Sequence, residues 1–414
     1  MQIPPEEKIE EKLPEGKITD EGVAKLREMI GIKLRLEYGG FQRDATIDTI
    51  TNFSNGVGDF NPLFRDPGYG RWTRFSSMIA HPIFPISVDW PGRTRWGLPG
   101  VHGFGVANDW EFYRVVRPGD RLNAYVRVLG AEEKQSSFSK RLVIQYTEHL
   151  FTNQRDEPVA RTIGICTRHE RQTAREVGKY SQVKEATYSD AEIDQILKLE
   201  AEEPNHIRGA ETRYWEDVRE GEQLPSIVRG PLSLQDITGF LVGCGHRSHA
   251  HGVLYSQASR HPQHYFRNRQ AGGGIEYTGI AHMRSEVAKN VGVPAGYDYL
   301  PQRIAWLTTM VTNWMGDDGF LKRLRMEARK FNLLGDTTWC EGKVTRKYIK
   351  DDYALVDIDI WCKNQRGEVT ALGVATVMLP SRDPSLKMVV DGRSLELGLP
   401  IPESIKALWP KRSG

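Results

Sequence analysis

Apolar and polar positions along the chain change period several times. "ALVDIDIWCKN" (354–364) sets Val356, Ile358 and Ile360 against Asp357 and Asp359. That period of two predicts a strand with one wet face. "RLNAYVRVLG" and "RLVIQYTEH" alternate in the same way nearer the start. "PQRIAWLTTMVTNWM" (301–315) instead puts Ile304, Leu307, Val311 and Trp314 on one face, with Trp306 and Met310 beside it. This spacing predicts a deeply buried helix. Ser233 with Asp236, and Ser189 with Glu192, mark two further helix starts; the second opens a charged helix, "SDAEIDQILKLEAEE". A buried helix followed by antiparallel strands implies a sheet wrapped around that helix, an α+β layout.

The pattern occurs twice. "TIDTITNFSNGVGD" (46–59) aligns with "SLQDITGFLVGCGH" (233–246) at an offset of 187. Ile50, Thr51, Phe53, Gly56 and Gly58 match Ile237, Thr238, Phe240, Gly243 and Gly245. "NQRDEPVA" (153–160) aligns with "NQRGEVTA" (364–371), and the Gly-Asp turn of "RVVRPGDRL" (114–122) with that of "KFNLLGDTT" (330–338). A repeat this long is a duplicated domain, since solenoid units are far shorter. The offset grows from 187 to 216, so the second copy carries about 29 extra residues between 246 and 335. The expected organisation is a first domain at 19–170, a linker at 171–211 and a second domain at 212–385 with its insertion at about 247–275. A tail follows at 386–414, and the first 18 residues are expected to be loosely ordered.

Composition narrows the classes. Lys+Arg number 56 against 54 Asp+Glu, which gives no pull towards nucleic acid or a membrane surface. There is no long apolar run, and "MQIPPEEKIEEKLPEGK" does not read as a signal peptide. Cys166, Cys244, Cys340 and Cys362 are scattered, which suits free thiols in a reducing cytoplasm and argues against a Cys-based metal site.

"GDFNP" after a short helix, then "MIAHPIFP", then "RVVRPGD", resembles the type-2 (R-specific) enoyl-CoA hydratases, also called the MaoC-like dehydratases. "RYWEDVREGEQLPSIVRGPLSLQDITGF" resembles the start of a second such domain. The resemblance spans about 30–170 and 212–381. It implies two tandem hot-dog domains, each a long helix wrapped by an antiparallel sheet. It also implies water addition to, or removal from, an acyl-CoA thioester, with coenzyme A as part of the substrate and no other cofactor. The family signature is Gly-Asp-x-Asn-Pro, an apolar residue, His, five residues, then Ala or Ser. The first copy keeps Gly58, Asp59, Asn61 and Pro62 but has Phe64 at the His position. The second has His246 in the Asp position and, after the insertion, His282 in the His position of "GIAHMRSEVA".

The candidate catalytic residues are therefore His282, Asp59, His246, His251 and Asn61. Asp59 and Asn61 also suit a plain turn. His246, His249, His251, His261 and His264 crowd one stretch; imidazoles there suit acid–base chemistry near neutral pH, and no metal is expected. Arg93 and Arg95 in "DWPGRTRWG" are the candidate contacts for coenzyme A phosphates. The second copy is the favoured site, because added chain at a signature loop reshapes a pocket mouth. A bulky acyl group is a further expectation, from Tyr255, Tyr265 and Phe266 of the insertion. A thioesterase and a non-catalytic acyl-CoA-binding subunit are the alternatives, and a homo-oligomer is expected.

Overall fold

The computed structural model describes residues 13–387 apart from 35, 37–40, 92–96, 137–139, 178–182 and 247. Among the described residues there are twelve strands: β1 (Lys33–Leu34), β2 (His102–Phe112), β3 (Asn123–Ser136), β4 (Lys140–Thr152), β5 (Pro158–His169), β6 (Ile227–Arg229), β7 (Tyr265–Asn268), β8 (Gly274–Tyr277), β9 (Phe320–Ala328), β10 (Thr338–Lys350), β11 (Tyr353–Asn364) and β12 (Val369–Met378). Ten of them form one sheet in the order β1-β3-β4-β5-β2-β9-β12-β11-β10-β6. Read from either edge, the sequence of equivalents is the same: a short edge strand, three long antiparallel neighbours, and a seam strand. The duplication is thus a pseudo-twofold about the β2–β9 pair. Ala107 faces Glu327 and Glu111 faces Arg323 across that seam, and Arg323 grips Asp109 with two bonds of 2.8 and 2.6 Å.

The aligned residues explain why the copies fold alike. Each signature helix, Ile47–Val57 and Leu234–Gly243, starts at a capping box, Thr46 with Thr49 and Ser233 with Asp236. Ile50, Phe53, Ile237 and Phe240 are all buried in one core. The two helices cross at Gly56 and Gly243. A Cβ on Gly243 would lie 2.6 Å from the Asn52 carbonyl oxygen, and one on Gly56 the same distance from that of Gly239. Glycine is needed at both because backbone meets backbone.

The long helix Leu300–Met315 is buried at every position from Pro301 onward. A long helix appears only once among the described residues. The equivalent stretch of the first copy is a 3-10 turn, Phe84–Ser87. Pro82, Pro85 and Pro91 explain this, since each removes an amide donor and obstructs a helix interior. The helix Asp190–Glu202 follows its Ser189–Glu192 capping box between the copies. Of the N-terminal stretch, residues 13–18 are described, and Leu13 and Ile18 are buried in the cores. No helix among the described residues is long and apolar enough to cross a membrane.

Candidate active site

Asp59 follows the signature helix, whose C-cap Gly58 takes the left-handed conformation (φ 73°). Its Oδ1 accepts the Asn61 amide at 2.8 Å, and Asn61 Oδ1 accepts the Leu63 amide at 3.0 Å. Both side chains thus shape the "GDFNP" turn. The other oxygen has a longer-range role. Thr309, in the middle of the second copy's long helix, donates its hydroxyl to Asp59 Oδ2 at 3.0 Å. His81 lies beside both, its Nε2 3.3 Å from Thr309 Oγ1 and 3.7 Å from Asp59 Oδ2. The Ile83 amide donates to His81 Nδ1, which assigns the imidazole proton to Nε2. The ring edge packs on Phe64, which occupies the signature His position.

This corner is wholly buried. Desolvation raises the Asp59 carboxyl to about 6 and lowers the His81 imidazole to about 3. His81 borders a void of about 40 Å³ walled by Leu63, Phe64 and Phe320. Asp59 borders neither that void nor the large cavity described next.

The large cavity lies between the copies and measures about 1800 Å³. His246 and His282, the two signature positions of the second copy, both line it. An aromatic wall joins them. His246 packs on Trp90 (ring centroids 5.2 Å apart), Trp90 on Tyr299 (5.0 Å), and Tyr299 stacks on His282 (3.7 Å). His282 Nδ1 donates to the Tyr297 carbonyl at 2.9 Å, which leaves Nε2 as the basic nitrogen. Burial lowers this imidazole to about 4, so it is neutral at physiological pH. Leu300 and Pro301, the first turn of the long helix, line the same cavity. The insertion supplies a further side of it, through the helix His251–Arg260 and the β7–β8 hairpin, with His249, His261 and His264 on the wall.

The candidates therefore separate. His246 and His282 come together on one cavity, whereas Asp59 and Asn61 belong to a buried turn outside it. His251 is exposed at the start of its helix and does not line the cavity. Arg93 and Arg95 lie outside the described residues. His81 and Thr309 were missed. His81 stands in "MIAHPIFP", where it offered a signal, but Thr309 is 250 residues from Asp59 and its register on a buried helix reveals no partner. Arg168 and Arg171, on the cavity wall beside His102 and His169, were missed as well.

Comparison with known proteins adds a family to this geometry. Residues 36–162 match the family model described as FAS1-like, dehydratase domain region. No curated protein matches the chain in sequence. Among solved structures, a MaoC-like dehydratase is 14% identical with a TM-score of 0.58, covering 86% of this chain and 99% of its own. A putative MaoC domain protein dehydratase from Chloroflexus aurantiacus is 13% identical with a TM-score of 0.52, covering 82% and 93%. A conserved hypothetical protein from Mycobacterium tuberculosis with a double hotdog fold is 12% identical with a TM-score of 0.51, covering 87% and 99%.

Proposed function

We propose that the chain is a MaoC-like dehydratase, a reading supported by the family-model match over residues 36–162 and by the likeness to solved double hot-dog structures, and that it adds or removes water across the α,β double bond of an acyl-CoA thioester held in the large cavity. His282 is the acid–base group. The observation that supports this reading is the fixed tautomer of His282, whose Nδ1 is committed to the Tyr297 carbonyl, in a ring that lines a cavity of about 1800 Å³.

A single imidazole can run the reaction in either direction. In dehydration, the Nε2 lone pair takes the proton from the α-carbon. The β-carbon–oxygen bond breaks, and the same proton passes to the departing hydroxyl, which leaves as water. Hydration is the reverse. Charge collects meanwhile on the thioester oxygen. Pro301 has no amide and the amides of Gln302 and Arg303 donate to the Tyr299 carbonyl, so in the first turn of the long helix it is the Leu300 amide, with the helix dipole, that is offered to this charge. Positioned acid–base catalysis of this kind contributes roughly 10²–10⁴ in rate. Tyr297, whose burial keeps its phenol protonated, and Tyr299 exclude water from the reacting end. His246 fills the Asp position without supplying a carboxylate, and its ring between Phe41 and Trp90 suits packing on the acyl group. A cytoplasmic setting fits the four buried free thiols.

The test is a panel of enoyl- and 3-hydroxyacyl-CoA thioesters followed by enoyl absorbance, with released thiol titrated in parallel. Absorbance change without thiol supports the proposal. Thiol release makes the protein a thioesterase, and binding without turnover makes it a carrier of acyl-CoA.

A further inference from the structure

One end of the cavity carries positive charge that forms no ion pair among the described residues. Arg168, on β5, and Arg171, just beyond it, are 2% and 4% exposed and line the cavity with His102 and His169. Arg168 donates to Gln145 Oε1 at 3.0 Å and to the Leu98 carbonyl at 2.8 Å, with longer contacts to the carbonyls of Gly97 and Val101. Arg171 donates to the carbonyls of Gly100 and Pro14 and to His102 Nδ1. Every one of these acceptors is neutral. Neither guanidinium forms an ion pair among the described residues, and the Nε of each is buried without a partner. Arg171 fixes the proton of His102 on Nε2, which is likewise buried without a partner.

Three carboxylates nearby are committed elsewhere. Asp298 is held by both ends of Arg303, at 2.8 and 2.6 Å. Glu276 pairs with Arg284, and Glu15, whose charge reaches Arg171, pairs with Arg175. Two arginines buried without a counter-ion are costly unless something else supplies the negative charge. Both neighbouring imidazoles are held neutral by burial and by these same arginines.

We infer that this end of the cavity receives a free carboxylate borne by the acyl group, so that the preferred substrates are monothioesters of dicarboxylic acids. The inference rests on the reading of His282 as the reacting end. The position of the cluster favours the acyl group over the carrier. Arg171 reaches His102 Nδ1 at 3.4 Å, and ring centroids then step from His102 to Phe104 (4.6 Å), Phe104 to Tyr297 (6.0 Å) and Tyr297 to His282 (4.2 Å). The phosphates of coenzyme A are separated from the thioester by the whole pantetheine arm. The planar guanidinium fork also matches a carboxylate held by two bonds.

The test is calorimetric binding of saturated thioesters to the full chain. Glutaryl and adipyl thioesters are compared with valeryl and hexanoyl thioesters, each on coenzyme A and on N-acetylcysteamine, which has no phosphate. The proposal expects the terminal carboxylate to improve affinity roughly tenfold or more on both carriers. This advantage is lost in Arg168→Gln and Arg171→Gln and kept in His282→Ala. If Arg168→Gln does not fold, Arg171→Gln alone decides. The proposal is overturned if wild type shows no carboxylate advantage, or if the folded arginine variants keep it. It is equally overturned if they lose affinity only for coenzyme A thioesters, since the charges then serve its phosphates. Absence of turnover with any enoyl thioester would remove the hydratase reading and leave this binding difference standing.

Discussion

Two buried groups with opposite titration define the residue scale. Asp59 rises from 3.8 to about 6 on folding. The folded state holds that proton more tightly, so this group's contribution to stability falls as pH rises from 3.8 through 6, and the full penalty stands above 6. Asp59→Asn keeps an oxygen for the Asn61 amide and removes the charge. Denaturant unfolding at pH 8 is expected to show the variant more stable by on the order of 1–3 kcal/mol, with the difference vanishing below pH 4. His282 carries the second expectation. Its imidazole is lowered to about 4, so the base form persists well below neutrality. The acidic limb of kcat/KM is expected near pH 4; a limb near 6.5 would mean that His282 is not the base. The turn role of Asp59 was legible from Asn-Pro beside it. Its bond to Thr309 was not, because nothing in a local pattern pairs residues so far apart.

Elements show what duplication retained and what it lost. The matches at Ile50, Phe53, Gly56 and Gly58 stood out in the sequence because they serve core packing and helix crossing in both copies. Gly243→Ala is expected to cost about 1–3 kcal/mol by overpacking against Asn52, measured as a lowered denaturation midpoint. The buried helix of the second copy was readable from its apolar periodicity. That the first copy shows a 3-10 turn at Phe84–Ser87, and no such helix among the described residues, was not foreseen, although its prolines were in view. Trp90, Pro91 and Leu98 of that stretch now form cavity wall. Space filled by a helix in one copy is thus partly given over to the cavity in the other. The insertion was visible as a shift in offset, but its cavity-facing histidines were not separable from exposed His251 until the helix phase was fixed.

At the scale of the molecule, neither copy is complete alone. The β2–β9 seam, the crossing of the signature helices and the Asp59–Thr309 bond all join first copy to second. Arg229 adds another, donating to the Gly58 carbonyl at 3.1 Å. Separate expression of the chain up to Val177 is expected to give aggregation through its bared seam strand, with recovery on co-expression of the remainder. A monomeric folded first half, seen by chromatography and circular dichroism, would contradict this. The cavity is likewise shared, and His282, the proposed acid–base group, lies on its second-copy wall. The most direct measurement is kcat/KM for enoyl-CoA hydration by wild type, His282→Ala and Asp59→Asn. A loss of about 10²-fold or more in His282→Ala, with Asp59→Asn within a few-fold of wild type, is the expected result. Full activity in His282→Ala together with collapse in Asp59→Asn would place the reaction at the buried corner and contradict it.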